Sequence, residues 1–560
     1  MSSEARDVRA GTAQDDRIGV AGRSKRSFSA PSSTAAAASV QPLPWRRWLI
    51  LSHRWLGIGL SVLFALWFAS GIFMMYVEFP QLTRPERLVG APALDFSTAR
   101  IAPGEAVARL APSDFTTIGA PHANRPAAEI DGDVRAENVQ LAMLLDRPVY
   151  HVYPANGAQP RVVAADTGEV LPRIDEPVAR AAALDFAERS GLDAARLRYA
   201  GLVQTDQWSV SSALNAHRPL HLFALGDARG TELYVSSTTG EVVRDTHRSE
   251  RLLNYPAAVT HWLYPTLIRR FADAWALMVE VLSGVGVVLG ITGVWLGLMR
   301  LRRPRPRVSA IPYRGLMRWH HISGLAFGAV AITWALSGML SLNPGGLNPS
   351  RSPSAAESEV FTGKPLTPED FDVPDAAAGD RLVAAELMHY LGQPFFASTS
   401  RDGSTVLIPA SDRAPVRPRV EDLIERAPAL MPGVDVERVT LLDAYDNYWY
   451  TRDPGAGGRP LPVLRFEFAD PERTWFHVDL ETGQVVQRLN RTNRVYRWLY
   501  NGLHSWDVQW LREKRPLWDI VMIAFSLGGL ALSITGIVTG FRYLRREAKR
   551  SRLKKTRAAA

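Results

Sequence analysis

Four long apolar stretches constrain this chain more than any other feature. Residues 55–77, 322–342 and 520–541 contain no Asp, Glu, Lys or Arg, and residues 274–299 contain only Glu280. Crossing a bilayer takes about 20 apolar residues as a helix, because backbone groups left unpaired in hydrocarbon are too costly. Each stretch is therefore expected to be a membrane-spanning helix, here TM1 to TM4. The polar segments between TM1 and TM2 and between TM3 and TM4 are each long enough to fold.

The expected order runs from a disordered cytoplasmic tail (1–45) through TM1 (46–77) to a first polar domain (78–250). An interfacial segment with TM2 (251–300) and a cytoplasmic loop (301–315) follow. TM3 (316–342), a second polar domain (343–493), an interfacial segment with TM4 (494–541) and a basic tail (542–560) complete it. The tail is rich in Ser, Ala, Arg and Gly, with no apolar run to fold around. The stretch after it is too long for a secretory leader and lacks a small-residue cleavage site, so TM1 is read as a retained anchor.

Charge orients the helices. Residues 1–47 carry eight Arg or Lys against four acids, residues 300–318 seven Arg and no acid, and residues 542–557 nine Arg or Lys against one acid. The whole chain is only +9, so what remains is net acidic. Basic flanks stay in the cytoplasm. Both termini and the 300–318 loop are therefore expected inside, and both polar domains outside, in a bacterial periplasm. No basic patch falls in a folded domain, so nucleic acid is not an expected partner; the lipid bilayer is. The chain has no Cys. That excludes disulfides, thiolate-bound iron–sulfur clusters and thioether-linked haem.

The sequence repeats itself. At an offset of 267, His53, Gly57, Trp67, Ser70 and Gly71 in TM1 fall on His320, Gly324, Trp334, Ser337 and Gly338 in TM3. At an offset of 243, Arg251, His261, Trp275, Ser283 and Ile291-Thr292-Gly293 fall on Arg494, His504, Trp518, Ser526 and Ile534-Thr535-Gly536. The reading is two parallel repeats about an axis along the membrane normal, with TM1 facing TM3 and TM2 facing TM4. The polar domains carry related hairpin signatures: RVVAADTGEVLP (161–172), LYVSSTTGEVVRD (233–245) and FHVDLETGQVVQ (476–487). Alternating β-branched residues around a Thr-Gly turn predict antiparallel strands. Helical segments at 177–189, with Pro177 in its first turn, and 420–427 make each domain α+β. The fold class expected is thus a four-helix membrane protein of two repeats bearing periplasmic α+β domains.

Of twelve His, four have a partner in the repeat: His53 with His320, and His261 with His504. One imidazole from each side of a flat macrocycle is the requirement of bis-His haem ligation. Two b-type haems follow as the expected cofactors, with His53 and His320 as iron ligands near the cytoplasmic face and His261 and His504 near the outer face. Interfacial His and a non-haem metal such as Zn or Cu are the alternatives, although a bare metal usually takes three or four clustered ligands. His321 rivals His320, and the repeat register favours His320. Gly57 and Gly324, one turn from His53 and His320, would leave room for a porphyrin. Arg54 and the nearby Arg46, Arg47, Arg314 and Arg318 could meet its propionates. Trp262, Trp506 and Trp510 suit an interfacial belt. Glu280, the acid inside a span, is either functional or interfacial. His217 and His221 are read as surface residues before iron or substrate contacts. His122, His151, His247, His389 and His477 belong to no motif.

The His53–Gly57 run HRWLG, the Trp319–Gly324 run WHHxxG, the Thr-Gly ends of TM2 and TM4 and the Thr-Gly-Glu-Val hairpins together resemble the PepSY-associated transmembrane proteins. The resemblance covers about residues 45–545. It implies PepSY-like periplasmic domains and, as in the inner-membrane reductases of that family, two b haems delivering electrons to ferric siderophore and releasing Fe(II). The catalytic activity implied is ferric-chelate reduction. No Gly-rich dinucleotide motif follows a strand, so the implied donor is a separate cytoplasmic flavoprotein or a quinol. Two rivals stand beside this reading. One is a non-catalytic protein holding an envelope peptidase or another partner. The other is an iron or siderophore transporter, against which four helices with few intramembrane polar groups offer little for a midplane site.

Overall fold

In the computed structural model the described residues are 44–115, 136–155, 157–303, 309–373, 381–411, 414–452 and 458–559. The expected tail, His122 and part of the 301–315 loop lie outside them. Of the described residues, 44–47 belong to a separate N-terminal unit and the others to the main one.

Long apolar runs fold as helices because each backbone group then finds its partner within the run. The four spans are helices over Pro44–Met74, Ala272–Arg300, Gly315–Leu340 and Leu517–Ala559. All four are long and apolar enough to cross a membrane, so the chain is a multi-pass membrane protein. TM1 and TM3 meet at the centre, where Phe68 and Trp334 have ring centres 5.6 Å apart. TM2 and TM4 pack into the grooves on either side. Gly286 of TM2 lies so close to Phe64 that a Cβ would come within 2.9 Å of the ring, and Gly529 of TM4 lies as close to Phe68. Small residues let helices approach in this way when lipid offers no hydrophobic drive. The expected facing of TM2 on TM4 is therefore corrected. Each packs against TM1 and TM3, because the glycines that permit close contact point there.

Among the described residues, fourteen strands build the polar segments. β1 (Ala136–Leu144), β2 (Arg147–Pro154) and β3 (Arg161–Ala164) are followed by a helix over Glu176–Arg189. Asp175 caps that helix by accepting the Val178 N–H at 3.2 Å, and Pro177 occupies its first turn. Next come β4 (Arg198–Val203), β5 (Leu220–Ala224), β6 (Glu232–Ser236) and β7 (Val242–Thr246), an antiparallel sheet in sequence order. The same succession follows TM3. β8 (Leu382–Tyr390), β9 (Gln393–Ser400) and β10 (Thr405–Pro409) precede a helix over Val420–Arg426. β11 (Val436–Leu442), β12 (Val463–Phe468), β13 (Trp475–Asp479) and β14 (Val485–Leu489) form a second four-stranded sheet. The Thr-Gly turn between β6 and β7 places Gly240 at φ +79°, where a Cβ would also strike Leu144.

The two polar segments do not stand apart. β1 pairs antiparallel with β8, Leu141 opposite Ala385, which makes one six-stranded sheet in the order β10-β9-β8-β1-β2-β3. Val139, Leu141, Tyr150 and Val152 share one buried core with Ala385, Leu387, Phe396 and Ile408. A single sheet thus ties the ends of TM1 and TM3 to the starts of TM2 and TM4.

Candidate functional site

His53 and His320 lie well within TM1 and TM3 as helices, near their N-terminal ends. Their imidazole centres are 6.4 Å apart, with planes inclined by 45°. His261 and His504 follow two short π-helical turns, Tyr255–Val259 and Trp498–Gly502, just before TM2 and TM4. Such turns are rare and frequent at functional positions. Here each shifts the chain so that the following His reaches the centre, and the two rings stand 6.1 Å apart.

Hydroxyls from the spans hold all four rings. Thr292 Oγ1 donates to the Leu289 carbonyl at 2.9 Å, which commits its only proton to its own helix. Its oxygen is then an acceptor, 3.4 Å from His53 Nδ1, which also donates to the Leu289 carbonyl at 3.3 Å. Thr535 Oγ1 donates to the Leu532 carbonyl at 2.8 Å and accepts from His320 Nδ1 at 3.1 Å. Ser70 Oγ donates to the Leu66 carbonyl at 2.6 Å and accepts from His261 Nδ1 at 3.1 Å. Ser337 Oγ donates to the Trp334 carbonyl at 3.2 Å and accepts from His504 Nδ1 at 3.0 Å. Every ring therefore carries its hydrogen on Nδ1 and keeps the Nε2 lone pair free. Burial pushes His261 down to about 4 and His504 to about 3, so both stay neutral at physiological pH.

An imidazole nitrogen sits roughly 2 Å from a first-row metal and about 1.1 Å from its ring centre, so rings on opposite sides of one ion stand about 6 Å apart. Both pairs have that spacing. Among the described residues no cluster of three or more His, Cys, Asp or Glu is placed to hold a metal ion. The donor set fits an ion whose remaining ligands come from elsewhere. Around the first pair lies a cavity of about 750 Å³, within the usual range for cofactor sites. Gly293 and Gly536 of the two Ile-Thr-Gly motifs make way for the rings: a Cβ would lie 2.6 Å from His53 Cε1 and 3.6 Å from His320 Cε1. Gly57 and Gly324 also line the cavity.

The family is decided by sequence comparison. The description PepSY-associated TM region matches residues 50–539. The chain belongs to this PepSY-associated transmembrane family. No curated protein matches it. Within this PepSY-associated protein, the match contains all four paired histidines and every strand described above.

His321 lines the cavity, but its ring lies 5.3 Å from Tyr313 rather than opposite His53, so His320 is the paired residue. Of the arginines proposed for an anionic edge, Arg54 and Arg314 line the cavity and Arg318 does not; Arg46 and Arg47 fall in the N-terminal unit. Arg300, Arg542 and Arg546 line it instead, contributed by the basic ends of TM2 and TM4. His221 is not a surface residue. It is buried between the Tyr199 hydroxyl at 3.1 Å and the Ile174 carbonyl at 2.9 Å, so its role is structural. His217 is partly buried, bonds Ser236 Oγ at 3.1 Å and lines a separate polar cavity. Trp262 and Trp510 are exposed as a belt requires, whereas Trp506 is half-buried with its ring centre 4.9 Å from that of Phe525, the planes inclined by 41°. Glu280 is half-buried near the Tyr496 hydroxyl. Ser70, Ser337, Thr292 and Thr535 had a signal in the sequence, their identity in both repeats, but mid-helix hydroxyls usually bond only their own backbone.

Proposed function

We propose that this protein is a transmembrane oxidoreductase that holds two b-type haems and passes electrons across the bacterial inner membrane to a periplasmic acceptor. The acceptor class is a ferric siderophore, whose Fe(III) is released as Fe(II) in iron uptake. One observation carries the reading: two His pairs, each about 6 Å between ring centres, every ring tied at Nδ1 and open at Nε2. His53, His320, His261 and His504 would be the axial ligands. Haem bound there supplies one-electron transfer.

The chain's own residues supply the rest. Hydrogen bonds to Nδ1 fix ring orientation and keep the ligands neutral and basic. Phe64, Phe68 and Trp334 fill the space between the pairs and exclude water. Ser70 lies 17 residues beyond His53 in TM1, roughly 26 Å of helix, so the two pairs sit near opposite faces of the bilayer. The basic flanks of the helices support a cytoplasmic position for both termini and for the His53/His320 pair, with both sheets in the periplasm. The repeated element order supports two parallel repeats descended from one unit. Arg54, Arg300, Arg314, Arg542 and Arg546 line the cytoplasmic cavity and suit an anionic edge of the bound group. A cytoplasmic flavoprotein or a quinol is the donor in this reading.

The deciding experiment is the dithionite-reduced spectrum of purified protein, then its reoxidation on mixing with ferric siderophore. Wild type should show low-spin b-haem bands, and each His→Ala variant of the four should lose about half. A wild-type preparation that binds no haem when expressed with haem in supply would overturn the reading.

A further inference from the structure

The surroundings of the second His pair differ sharply between the two halves. On the His504 side, Asp507 is only 2% exposed at its side chain. Its Oδ2 accepts from Arg452 Nε at 3.0 Å, from Arg452 Nη2 at 2.8 Å and from the Tyr450 hydroxyl at 3.0 Å. Arg452 Nη2 also reaches Oγ of Ser505, the residue after His504, at 2.6 Å. Arg497, 5% exposed, donates one Nη2 bond to the Asp507 carbonyl, while Tyr450 and Trp498 cover its guanidinium at 5.3 and 4.2 Å. Arg512 lies over Tyr450 at 4.1 Å.

Two features of this cluster are unexplained by the fold. Arg497 Nε and Nη1 and Arg512 Nη1 are buried donors with no acceptor among the described residues. Charged donors left unpaired in a buried place are strongly destabilising, so a fold keeps them where something else supplies the acceptor. The charges also fail to balance: three guanidiniums surround one carboxylate, with Glu513 the other acid within reach of Arg512. At the 243 offset, Asp507 corresponds to Tyr264, Arg497 to Asn254 and Arg512 to Arg269. Asn254 spends its amide on the Glu78 and Glu250 carbonyls, and Arg269 lies over Tyr264 and Trp275 with its Nε also buried and without an acceptor among the described residues. The first half thus repeats one arginine of the cluster but has neither the Asp507 carboxylate nor the Arg497 guanidinium at the matching positions.

We infer that Arg452, Arg497 and Arg512, braced by Asp507, form a carboxylate-binding seat beside His504 on one side of the molecule only. Guanidinium N–H groups left without an acceptor match a carboxylate in charge and in hydrogen-bonding capacity. The inference rests on the proposed function in taking His504 as a ligand of the outer redox group. The carboxylate comes from one of two sources, a propionate of that group or a carboxylate-bearing iron chelate from solution. A site of this kind on one half alone would break the symmetry of the outer pair and settle from which side the anion sits.

The test uses full-length protein in detergent, comparing wild type with Arg452→Gln and Arg452→Lys; Arg452 is 56% exposed, and in both variants the Tyr450 hydroxyl remains on Asp507, with Lys also keeping the charge. Midpoint potentials of the two haems and calorimetric titration with iron-free citrate are measured. With a propionate in the seat, Arg452→Gln lowers the outer midpoint alone and makes it vary with pH near neutrality, as the freed carboxylate gains a proton on reduction; Lys restores it. With a solution carboxylate, citrate binds to wild type, and Arg452→Gln weakens that binding tenfold or more with both midpoints unmoved. A charge-only drop in midpoint without pH dependence, or no change in either readout, overturns the seat. Haem-free wild type sinks the proposed function instead, and citrate binding then decides the seat alone.

Discussion

Ser70 Oγ lies 3.1 Å from His261 Nδ1 while giving its own proton to the Leu66 carbonyl at 2.6 Å. The bond has one available direction, from imidazole to hydroxyl, and it selects the tautomer that leaves Nε2 open. Hydrogen-bond partners of a metal ligand usually carry 10–100-fold in metal affinity. Ser70→Ala and Ser337→Ala are each expected to weaken haem retention at the His261/His504 pair by about that factor without abolishing it. His261→Ala should abolish it. Haem-to-protein ratio after gel filtration, measured across a dilution series, checks the ranking. Equal retention in Ser70→Ala and wild type would mean that the hydroxyl does not orient the ligand.

Gly293 and His53 make a sharper steric case. A Cβ at 293 would lie 2.6 Å from Cε1 and 3.2 Å from Nδ1 of the ring. The first is shorter than side chains tolerate and the second is tight, and the ring is held by Leu289 and Thr292. Gly293→Ala is expected to push His53 off axis and remove low-spin character from the first pair alone. Gly284→Ala is the control, because its Cβ would meet only Met339 S at 3.7 Å. Electron paramagnetic resonance of the oxidised protein distinguishes the two low-spin signals. A Gly293→Ala protein with both signals intact would show that the ring has room to shift.

His320 and His321 are adjacent but face different neighbours. His320 points to His53 and is anchored by Thr535, whereas His321 packs on Tyr313. His320→Ala should lose about half of the haem absorbance. His321→Ala should keep both haems, and reduced spectra of the two variants side by side check the assignment. The reverse result would exchange their roles.

Much of the architecture was legible locally. The four spans follow from length and the lack of charge, and the hairpins around Gly240 and Gly483 follow from turn chemistry, since both glycines adopt positive φ. The His pairs emerged because a constant offset aligned them in sequence. What was not legible depends on contacts far apart in the chain. β1 and β8 pair although TM2 and TM3 lie between them in the chain, and nothing in AENVQLAML names its partner. The π turns before His261 and His504 leave no residue signature, and the Asp507–Arg452 contact joins a loop to the segment before TM4. Hydroxyls at positions 70, 292, 337 and 535 were visible as repeated residues, but their bonds to imidazole needed the packing of neighbouring helices.

The β1–β8 seam gives that packing a measurable consequence. Leu141 is fully buried opposite Ala385, in a core drawn from both polar segments. Leu141→Ala removes buried methyl groups and leaves a cavity, for an expected loss of about 2–5 kcal/mol. Because the seam is shared, limited proteolysis should reveal new cleavage in both segments together. Cleavage confined to residues 78–250 would mean that the two sheets' cores unfold independently.

Asp245 on β7 offers a pH-dependent test close to the chain leading into His261. Burial, with Glu86 and Glu250 nearby, pushes its carboxyl up to about 7 from an ordinary 3.8. Between those values the unfolded chain is ionised while the folded protein keeps the proton, so folding takes up a proton. Stability therefore falls as pH rises from 3.8 towards 7 and is level above it. Asp245→Asn removes the ionisable group, so its advantage should be absent in acid, grow through this window and be complete above neutrality. Each tenfold change in proton affinity is worth about 1.4 kcal/mol, which puts the gain at about 1–4 kcal/mol. Apparent melting temperatures of both proteins across pH check the sign. A variant less stable than wild type at neutral pH would mean that the ionised carboxylate, 3.8 Å from His247, is held as a partner rather than tolerated as a cost.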